Sequence, residues 1–329
     1  MHIATITPER HAEFLDLVDA EIRPDRAKTH AWDDFPLILS PANAAWTLAA
    51  TAPDGRLAGG IACLIREYST TSGKVPVAGV GSVVTHPEYR GRGVSTALQN
   101  ALLTRLRGKN VPLAVLWTDR PEIYAGRGFA PAGWERHVDL AEADLPTELP
   151  AGFVARPFAP GDADAVAALY DRHSLRTIRA PGDAATLYTM PGTRGLVAAG
   201  EGGGAVAAVF CGKGADFPGY VTEWSGPVGL VVPLLAAARA RGWAQHVLVP
   251  PGAEQILQPL GRCGAGWGTV PSGCWAILAP DGLGRYLQAA GAGAPRDMGD
   301  PVAVLGGVDD EGQPVAGALT LAVWGFDSV

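Results

Sequence analysis

The sequence predicts a mixed α/β protein, in which two similar units follow one another and a short β-hairpin comes last. Three observations predict this class: a length of 329 residues, a hydrophobic content of 47% against 18% charged residues, and an order of strands and helices that occurs twice. A chain of this length exceeds one typical domain, and such a composition supplies a buried core. The expected domains are residues 1–142, residues 151–290 and a hairpin segment at 291–329.

The first unit begins with a predicted strand at Ile3–Ile6 and a helix after Pro8, whose apolar residues recur at helical spacing. Two strands joined by Asp54-Gly55 follow, and this pair is a strong hairpin signal. The elements expected after the first helix are strands Trp46–Ala52 and Leu57–Tyr68, a flexible loop Ser69–Lys74, strand Val77–Thr85, helix Gly93–Arg107, strand Val111–Trp117, a short helix Arg120–Arg127 and a last strand Phe129–Leu140.

The same order of elements returns after a proline-containing linker at Ala143–Gly152. The match concerns element order and not residue identity, and it predicts an internal duplication. In the last segment, residues 291–329, the polar turn Asp309–Gly312 predicts a hairpin. The expected elements are strand Phe153–Arg156, helix Asp162–His173, strands Leu196–Ala199, Ala205–Cys211 and Tyr220–Ser225, helix Val228–Arg241, strand Gln245–Val249, helix Leu283–Ala290, and hairpin strands Val302–Val308 and Val315–Phe326.

Charge, cysteine content and hydropathy argue against several classes of protein. The net charge of −7 argues against nucleic acid as a partner, because nucleic-acid binding needs a basic face. The four cysteines are far apart and form no Cys-x-x-Cys pair, so we expect no metal. The sequence has neither an apolar run of ~20 residues nor a secretion signal. We therefore expect a cytoplasmic protein that does not bind a membrane, and a homo-oligomer is compatible with the sequence.

The segment Val80–Leu98 carries the strongest functional signal. A β-rich run ends there in a turn with two glycines, Gly91 and Gly93, and a helix follows at once. Backbone N–H groups at such a junction are unpaired, and the helix dipole adds about half a positive charge. The junction can therefore bind phosphate oxygens, and Arg90 and Arg92 can add charge-assisted hydrogen bonds. The glycines are equally compatible with an ordinary strand–turn–helix connection.

Two motifs resemble those of the GNAT acetyltransferases. Arg90-Gly91-Arg92-Gly93-Val94-Ser95 is similar to the Arg/Gln-x-x-Gly-x-Gly/Ala signature of that family, with Ser95 in place of the usual small final residue. Tyr124-Ala125-Gly126-Arg127-Gly128-Phe129 resembles the family's Tyr-x-x-x-Gly-Phe at the expected separation. The resemblance covers residues 1–142 and implies that acetyl-CoA is the co-substrate, without a metal. The cofactor-binding residues that it implies are Ser82, Val83, Val84, Arg90, Gly91, Arg92, Gly93, Val94, Ser95, Thr118 and Asp119.

The resemblance also implies direct attack of a primary amine on the acyl thioester. Such an amine must lose a proton, and the leaving thiolate must gain one. The family places a tyrosine hydroxyl near the sulfur, which implies Tyr124 as the acid. Three candidates for the base stay open: Glu67 near a strand end, His30 with the pair Asp33-Asp34 in the acidic loop Arg23–Pro36, and the terminal carboxylate of Val329. The tandem type of this family, described below, brings its C-terminus into the first domain's active site. An apolar last strand at Val315–Phe326 is expected to be buried.

The second unit lacks the signature at the corresponding junction, Glu223–Gly229, where Pro227 removes one N–H group. An active GNAT unit followed by a silent one resembles the enhanced-intracellular-survival type of acetyltransferase. The prediction is thus an N-acetyltransferase that acts on a small-molecule or peptide amine. Two alternatives stay open: an acceptor that is a protein lysine or amino terminus, and an acyl-CoA-binding sensor without turnover.

Overall fold

The structure is a computed structural model that describes residues 1–24, 30–71, 73–289, 293, 295 and 297–329. Part of the acidic loop Arg23–Pro36, residues 25–29, lies outside the described residues. The strands, in chain order, are β1 His2–Thr5, β2 Thr47–Thr51, β3 Leu57–Thr70, β4 Gly73–Thr85, β5 Leu113–Leu116, β6 Ala130–Ala132, β7 Glu135–Asp139, β8 Val154–Pro157, β9 Arg176–Ile178, β10 Arg194–Ala199, β11 Ala205–Lys213, β12 Asp216–Ser225, β13 Ala244–Val249, β14 Gly266–Val270, β15 Gly273–Ile277, β16 Gly307–Val308 and β17 Pro314–Val315.

The helices agree with most of the predicted helical segments. Proline or glycine stands at or next to several of their starts, as is common for helix N-termini. In chain order they are α1 Pro8–Ile22, α2 Ala31–Asp34, α3 Val94–Gly108, α4 Glu122–Ala125, α5 Ala163–Tyr170, α6 Asp183–Tyr188, α7 Val228–Ala240, α8 Leu257–Arg262, α9 Pro280–Ala289 and α10 Pro301–Leu305.

Two mixed sheets form the scaffold. The first has the strand order β1-β2-β3-β4-β5-β15-β6, with β9 paired to β3, and the second has the order β14-β7-β13-β12-β11-β10-β8. In both sheets one parallel pair, β4–β5 or β12–β13, lies beside antiparallel hairpins. This arrangement confirms the mixed α/β class, and the repeated plan of hairpin, parallel pair and helix confirms the predicted tandem.

The two sheets exchange strands, which the sequence did not reveal. The prediction of a single strand at Phe129–Leu140 is wrong, because this segment is divided between β6 in the first sheet and β7 in the second. The division falls at Gly133, whose φ of 62° favours glycine. In return β15 inserts between β5 and β6, with Cys274 opposite Leu116. The expected domain boundaries stay predictions about the chain, since each sheet takes a strand from beyond them.

Two local predictions are corrected. The expected flexible loop Ser69–Lys74 is largely sheet, because the hairpin of β3 and β4 extends to the pair Thr70 and Gly73. The C-terminal hairpin exists, but it is confined to β16 and β17. Most of its predicted first strand is instead α10, whose start is capped by the Asp300 side chain accepting a hydrogen bond from the N–H of Val302 at 3.0 Å.

The segment 319–329, here called the C-terminal tail, is buried without forming the predicted strand. Its first part, Leu319–Val323, packs in the core beneath the first sheet. Trp324 then enters the core of the second unit, and Phe326 packs with Tyr188 and Phe210 there. Val329 returns to the apolar cluster of the first unit. The tail therefore passes through the cores of both units.

Candidate active site

The site begins where two parallel strands of the first sheet separate. β4 and β5 are paired from Val77–Gly79 against Leu113–Val115. Beyond Gly79 the described pairing between them stops, although β4 continues to Thr85. Backbone N–H and C=O groups along this edge of β4 therefore need other partners. The gap is suited to an extended ligand that adds hydrogen bonds along a strand edge.

A bulge in β4 lies beside this gap, at two of the predicted cofactor residues. The register between β3 and β4 shifts there, so that Ser82 and Val83 oppose the single residue Ile61. The φ of Ser82 is 51°, in the left-handed region that residues other than glycine rarely adopt. Such a bulge bends the strand, and here it accompanies the separation of β4 from β5.

The glycine turn lies at the start of α3, as predicted. Gly91 and Gly93 have φ values of 72° and 74°, and among the described residues nothing lies within 4 Å of a Cβ added to either. The N–H of Ala97 donates to the carbonyl of Gly93 at 3.0 Å, so the preceding N–H groups of the first turn have no acceptor within the helix. The turn thus presents open space in front of unpaired donors, as an anion site requires.

The two arginines of the turn are exposed and engaged with nearby side chains. Arg90 forms an ion pair with Glu21, and the Arg92 guanidinium lies 5.4 Å from the centre of the Tyr89 ring. An exposed ion pair stabilises a protein by only about 0–1 kcal/mol. A phosphate can therefore compete with Glu21 for Arg90.

Tyr124 and Trp117 form the opposite wall of the gap. Tyr124 is carried by α4 and makes an edge contact with Phe129, with ring centres 6.2 Å apart. Burial raises the pKa of Tyr124, so its hydroxyl stays protonated at neutral pH. Trp117 follows β5, and its indole N–H donates to the carbonyl of Ser272 at 2.9 Å. The orientation of this wall thus depends on a contact from the second half of the chain.

Val329 lies in the same space as Tyr124. A Cβ added to Gly79 would lie 2.7 Å from the Val329 side chain, and one added to Gly81 would lie 3.1 Å from the carbonyl carbon of Val329. The two glycines therefore leave the room that the end of the tail occupies. A cavity of 210 Å³, here called the cleft, is lined by Val329, Tyr124, Trp117, Phe35 and the bulge, among others.

The remaining predicted residues lie elsewhere. Glu67 is on β3, its side chain is 55% exposed, and its carboxylate lies 3.8 Å from the ammonium of Lys74. It does not line the cleft, so the structure does not bring it together with Tyr124. Thr118 and Asp119 follow Trp117, and the Thr118 hydroxyl accepts a hydrogen bond from the N–H of Arg120 at 3.0 Å. Asp34 of the acidic loop is buried against Arg23, at 2.6 Å.

The corresponding gap of the second unit is filled by the protein itself. β12 and β13 pair from Gly219 to Val221, and the Trp224 indole then reaches across to the carbonyl of Leu248 at 3.2 Å. Trp324 of the tail packs on Trp224, with ring centres 5.6 Å apart.

Two further features close this second gap. His173 donates to the carbonyl of Trp224 at 3.0 Å, and burial lowers the pKa of His173 to about 4, so it is neutral there. The turn before α7 contains Gly226, where an added Cβ would lie 2.6 Å from the carbonyl oxygen of Val206. Pro227 caps the helix without an N–H. The second unit therefore has less space at Gly226 than the first unit has at Gly91 and Gly93, and its helix start lacks the N–H group of the capping residue.

The described residues lack a metal-ligand cluster and a membrane-spanning helix. No group of three or more His, Cys, Asp and Glu side chains within that part of the chain could hold a metal ion. Among the described helices, none is both long and apolar enough to cross a membrane.

Comparison with known proteins identifies the class of the first unit. Residues 2–132 match the family described as acetyltransferase (GNAT) domain. This part of the chain is therefore similar to the GNAT acetyltransferase domains. Mycothiol acetyltransferase of Pseudarthrobacter chlorophenolicus is 36% identical over 135 residues, which cover 36% of this chain. The chain spans only 39% of the length of that relative.

Solved structures extend the likeness over both units. A probable N-acyltransferase from Enterococcus faecalis V583 has a TM-score of 0.63 and 19% identity, and the match covers 84% of this chain and 73% of that one. A GCN5-related N-acetyltransferase from Kribbella flavida has a TM-score of 0.61 and 19% identity, and the match covers 90% of this chain and 74% of that one. Eis1 from Mycobacterium abscessus has a TM-score of 0.58 and 16% identity, and the match covers 84% of this chain and 74% of that one. At this identity the likeness concerns the fold, which is the predicted tandem GNAT arrangement.

Sequence reasoning missed several residues that shape the site. Ser272 and β15 come from a stretch to which no element was assigned, although the run Gly273–Ile277 is apolar enough for a buried strand. Lys213 and Arg179 contact the tail, as described below. Their signal in the sequence is weak, because a charged residue inside an apolar strand shows its partner only in three dimensions.

Proposed function

We propose that the protein is an acetyl-CoA-dependent N-acetyltransferase that transfers an acetyl group to a primary amine by direct attack. One observation carries the proposal: the cleft contains Tyr124 and the end of the tail between two separated strands, beside the open turn at Gly91 and Gly93. The family of the first unit and the acetyl transfer named for its 36% identical relative support it.

In this proposal the first unit holds the two ends of acetyl-CoA with backbone groups. The pyrophosphate accepts hydrogen bonds from the first turn of α3, where the helix dipole also favours an anion. The pantetheine arm adds to the free edge of β4 at Ser82–Val84, as a peptide adds to a sheet edge. Its thioester then lies in the cleft, between the bulge and Tyr124.

The reaction forms an N–C bond and breaks the C–S bond. The attacking nitrogen becomes positively charged as it bonds to carbon, so its proton becomes acidic. The carboxylate of Val329 orients the amine and accepts this proton, and the Tyr124 hydroxyl donates to the departing thiolate. The apolar walls at Phe35 and Trp117 favour a neutral amine over its ammonium form, because desolvation penalises charge.

We propose a small-molecule or peptide amine as the acceptor, including a protein lysine or amino terminus. The cleft walls named above are aromatic, which favours an acceptor with an apolar part near its amine. A cytoplasmic location and a homo-oligomeric state stay predictions from the sequence.

The direct test measures thiol release from acetyl-CoA with a panel of monoamines, polyamines, amino acids and lysine-containing peptides. We expect turnover with at least one class and acetylated product by mass spectrometry. Tight binding of acetyl-CoA without turnover on any of them would contradict the proposal and favour the sensor.

Replacing Tyr124 by Phe tests the proposed acid. We expect kcat to fall by about 10²-fold or more, as when a positioned proton donor is lost, with the affinity for acetyl-CoA nearly unchanged. The ring and its contact with Phe129 are kept, so folding is not at issue. Stopped-flow thiol release measures kcat, and an unaltered kcat would rule out Tyr124 as the acid.

The closed gap of the second unit predicts the stoichiometry. We expect calorimetry to show one acetyl-CoA site per chain, because Trp224 and Trp324 occupy the space of a second cofactor arm. Two sites of similar affinity would contradict this prediction.

A further inference from the structure

A buried lysine of the second unit contacts the end of the tail. Lys213 is the last residue of β11 and is 1% exposed. Its Nζ donates hydrogen bonds to the carbonyl of Ser328 and to the Ser328 hydroxyl, the latter at 3.0 Å. Its ammonium also lies 5.0 Å from the centre of the Phe35 ring, which belongs to the first unit. Ser328 is the residue immediately before Val329, so this contact is one peptide bond from the cleft.

The preceding residue of the tail is held by a second cation. The Asp327 carboxylate accepts from Arg179 at 3.0 Å through two nitrogens, and from the hydroxyl of Tyr170 at 2.8 Å. Arg179 also pairs with Glu223, and the side chains of all three charged residues are at most 6% exposed. This cluster holds the tail to the second unit through Asp327, and it is complete without Lys213.

The burial of Lys213 is unfavourable by itself. Burial lowers the pKa of Lys213 to about 8. The acidic groups near it have other cations, since Arg23 pairs with Asp34 and Asp216, and Arg179 pairs with Asp327. Coulombic attraction by Asp216, Asp327 and Asp34 offsets part of the cost of burial, and the ammonium donates its hydrogen bonds to Ser328.

We propose that Lys213 is a positioning residue of the second unit, which sets the place of Val329 in the cleft of the first unit by holding Ser328. This inference rests on the proposed function for its consequence in turnover, but its structural part is independent of it. In this proposal the second unit, whose own gap between β12 and β13 is closed, positions a residue of the first unit's cleft.

Lys213→Met tests the inference, because methionine keeps the volume and the apolar stem and removes the donors. We expect kcat to fall about tenfold or more, while the Kd of acetyl-CoA changes by less than about twofold. The melting temperature should change little, because the lost hydrogen bonds to Ser328 and the removal of a buried charge have opposite effects on stability. Lys109→Met, which changes an exposed lysine after α3, is the matched control and should leave both constants unchanged.

A second readout does not depend on turnover. The Val329 methyl groups lie against Gly79, and Val329 belongs to the same apolar cluster as the ring of Phe35, so their ¹³C–¹H resonances should report the place of the residue in the unaltered protein. In Lys213→Met we expect them to move toward ordinary valine values, with the assignment made from Val329→Ala. Unchanged methyl resonances, or displaced ones with an unaltered kcat, would overturn the inference. Displaced methyls in a protein that acetylates no amine would support the positioning and contradict the proposed function.

Discussion

A Gly-Ser-Gly extension after Val329 is expected to lower kcat by about 10²-fold or more, the usual effect of losing a positioned base. The extension moves the negative charge away from Tyr124 and places a peptide group in a cleft of 210 Å³. Acetyl-CoA binding should persist, because its proposed contacts lie on β4 and at the turn before α3. Single-turnover kinetics and calorimetry separate the two effects.

The control for this extension inserts the same residues after Glu311, in the exposed turn between β16 and β17. This variant has the same added length, but the tail and Val329 stay in place, so kcat should be unaltered. Full turnover by the protein extended at Val329 would contradict a catalytic role of the terminal carboxylate. In that case a chain of water molecules would become the better choice of base.

Replacing Gly93 by Asn is expected to weaken acetyl-CoA binding by about 10- to 100-fold, which corresponds to losing one or two charge-assisted hydrogen bonds. Asparagine tolerates a positive φ better than other side chains, so the turn should keep its conformation. Its side chain would project into the open space in front of the α3 donors and compete with the pyrophosphate. Calorimetry with acetyl-CoA measures the change.

Gly242→Asn is the matched control for this substitution. Gly242 also has a positive φ, of 68°, and among the described residues nothing lies within 4 Å of a Cβ added there. It follows α7 of the second unit, so an equal change in stability with no change in affinity is expected. Unaltered affinity of a folded Gly93→Asn protein would remove the turn from the proposed binding site.

Local patterns in the sequence predicted most of the elements around the site. The Asp54-Gly55 turn predicted the hairpin of β2 and β3, and the glycine turn predicted the start of α3 within one residue. Both signals are local, because a turn residue or a helix start depends on the backbone within a few residues. The same holds for the GNAT motifs, which are short and contiguous.

The exchange of strands between the two sheets could not be predicted from local sequence patterns. The run from Phe129 to Leu140 has one apolar pattern, and nothing in it states that its two halves pair in different sheets. Strand pairing is a long-range choice, and β15 reaches β5 across more than a hundred residues. The C-terminal tail is a similar case: its apolar residues predicted burial, but only the fold decided that it would pass through two cores instead of pairing as a strand.

The sequence by itself determined the mixed class, the tandem plan and the position of the glycine turn before α3, because each depends on local periodicity or on a contiguous motif. Only the tertiary structure decided which charged groups meet. It placed Glu67 near Lys74 and outside the cleft, brought Val329 onto Gly79 and Gly81, and closed the second gap with tryptophans. These outcomes depend on contacts between residues distant in the chain, and a buried charge such as that of Lys213 acquires its meaning only from its partners.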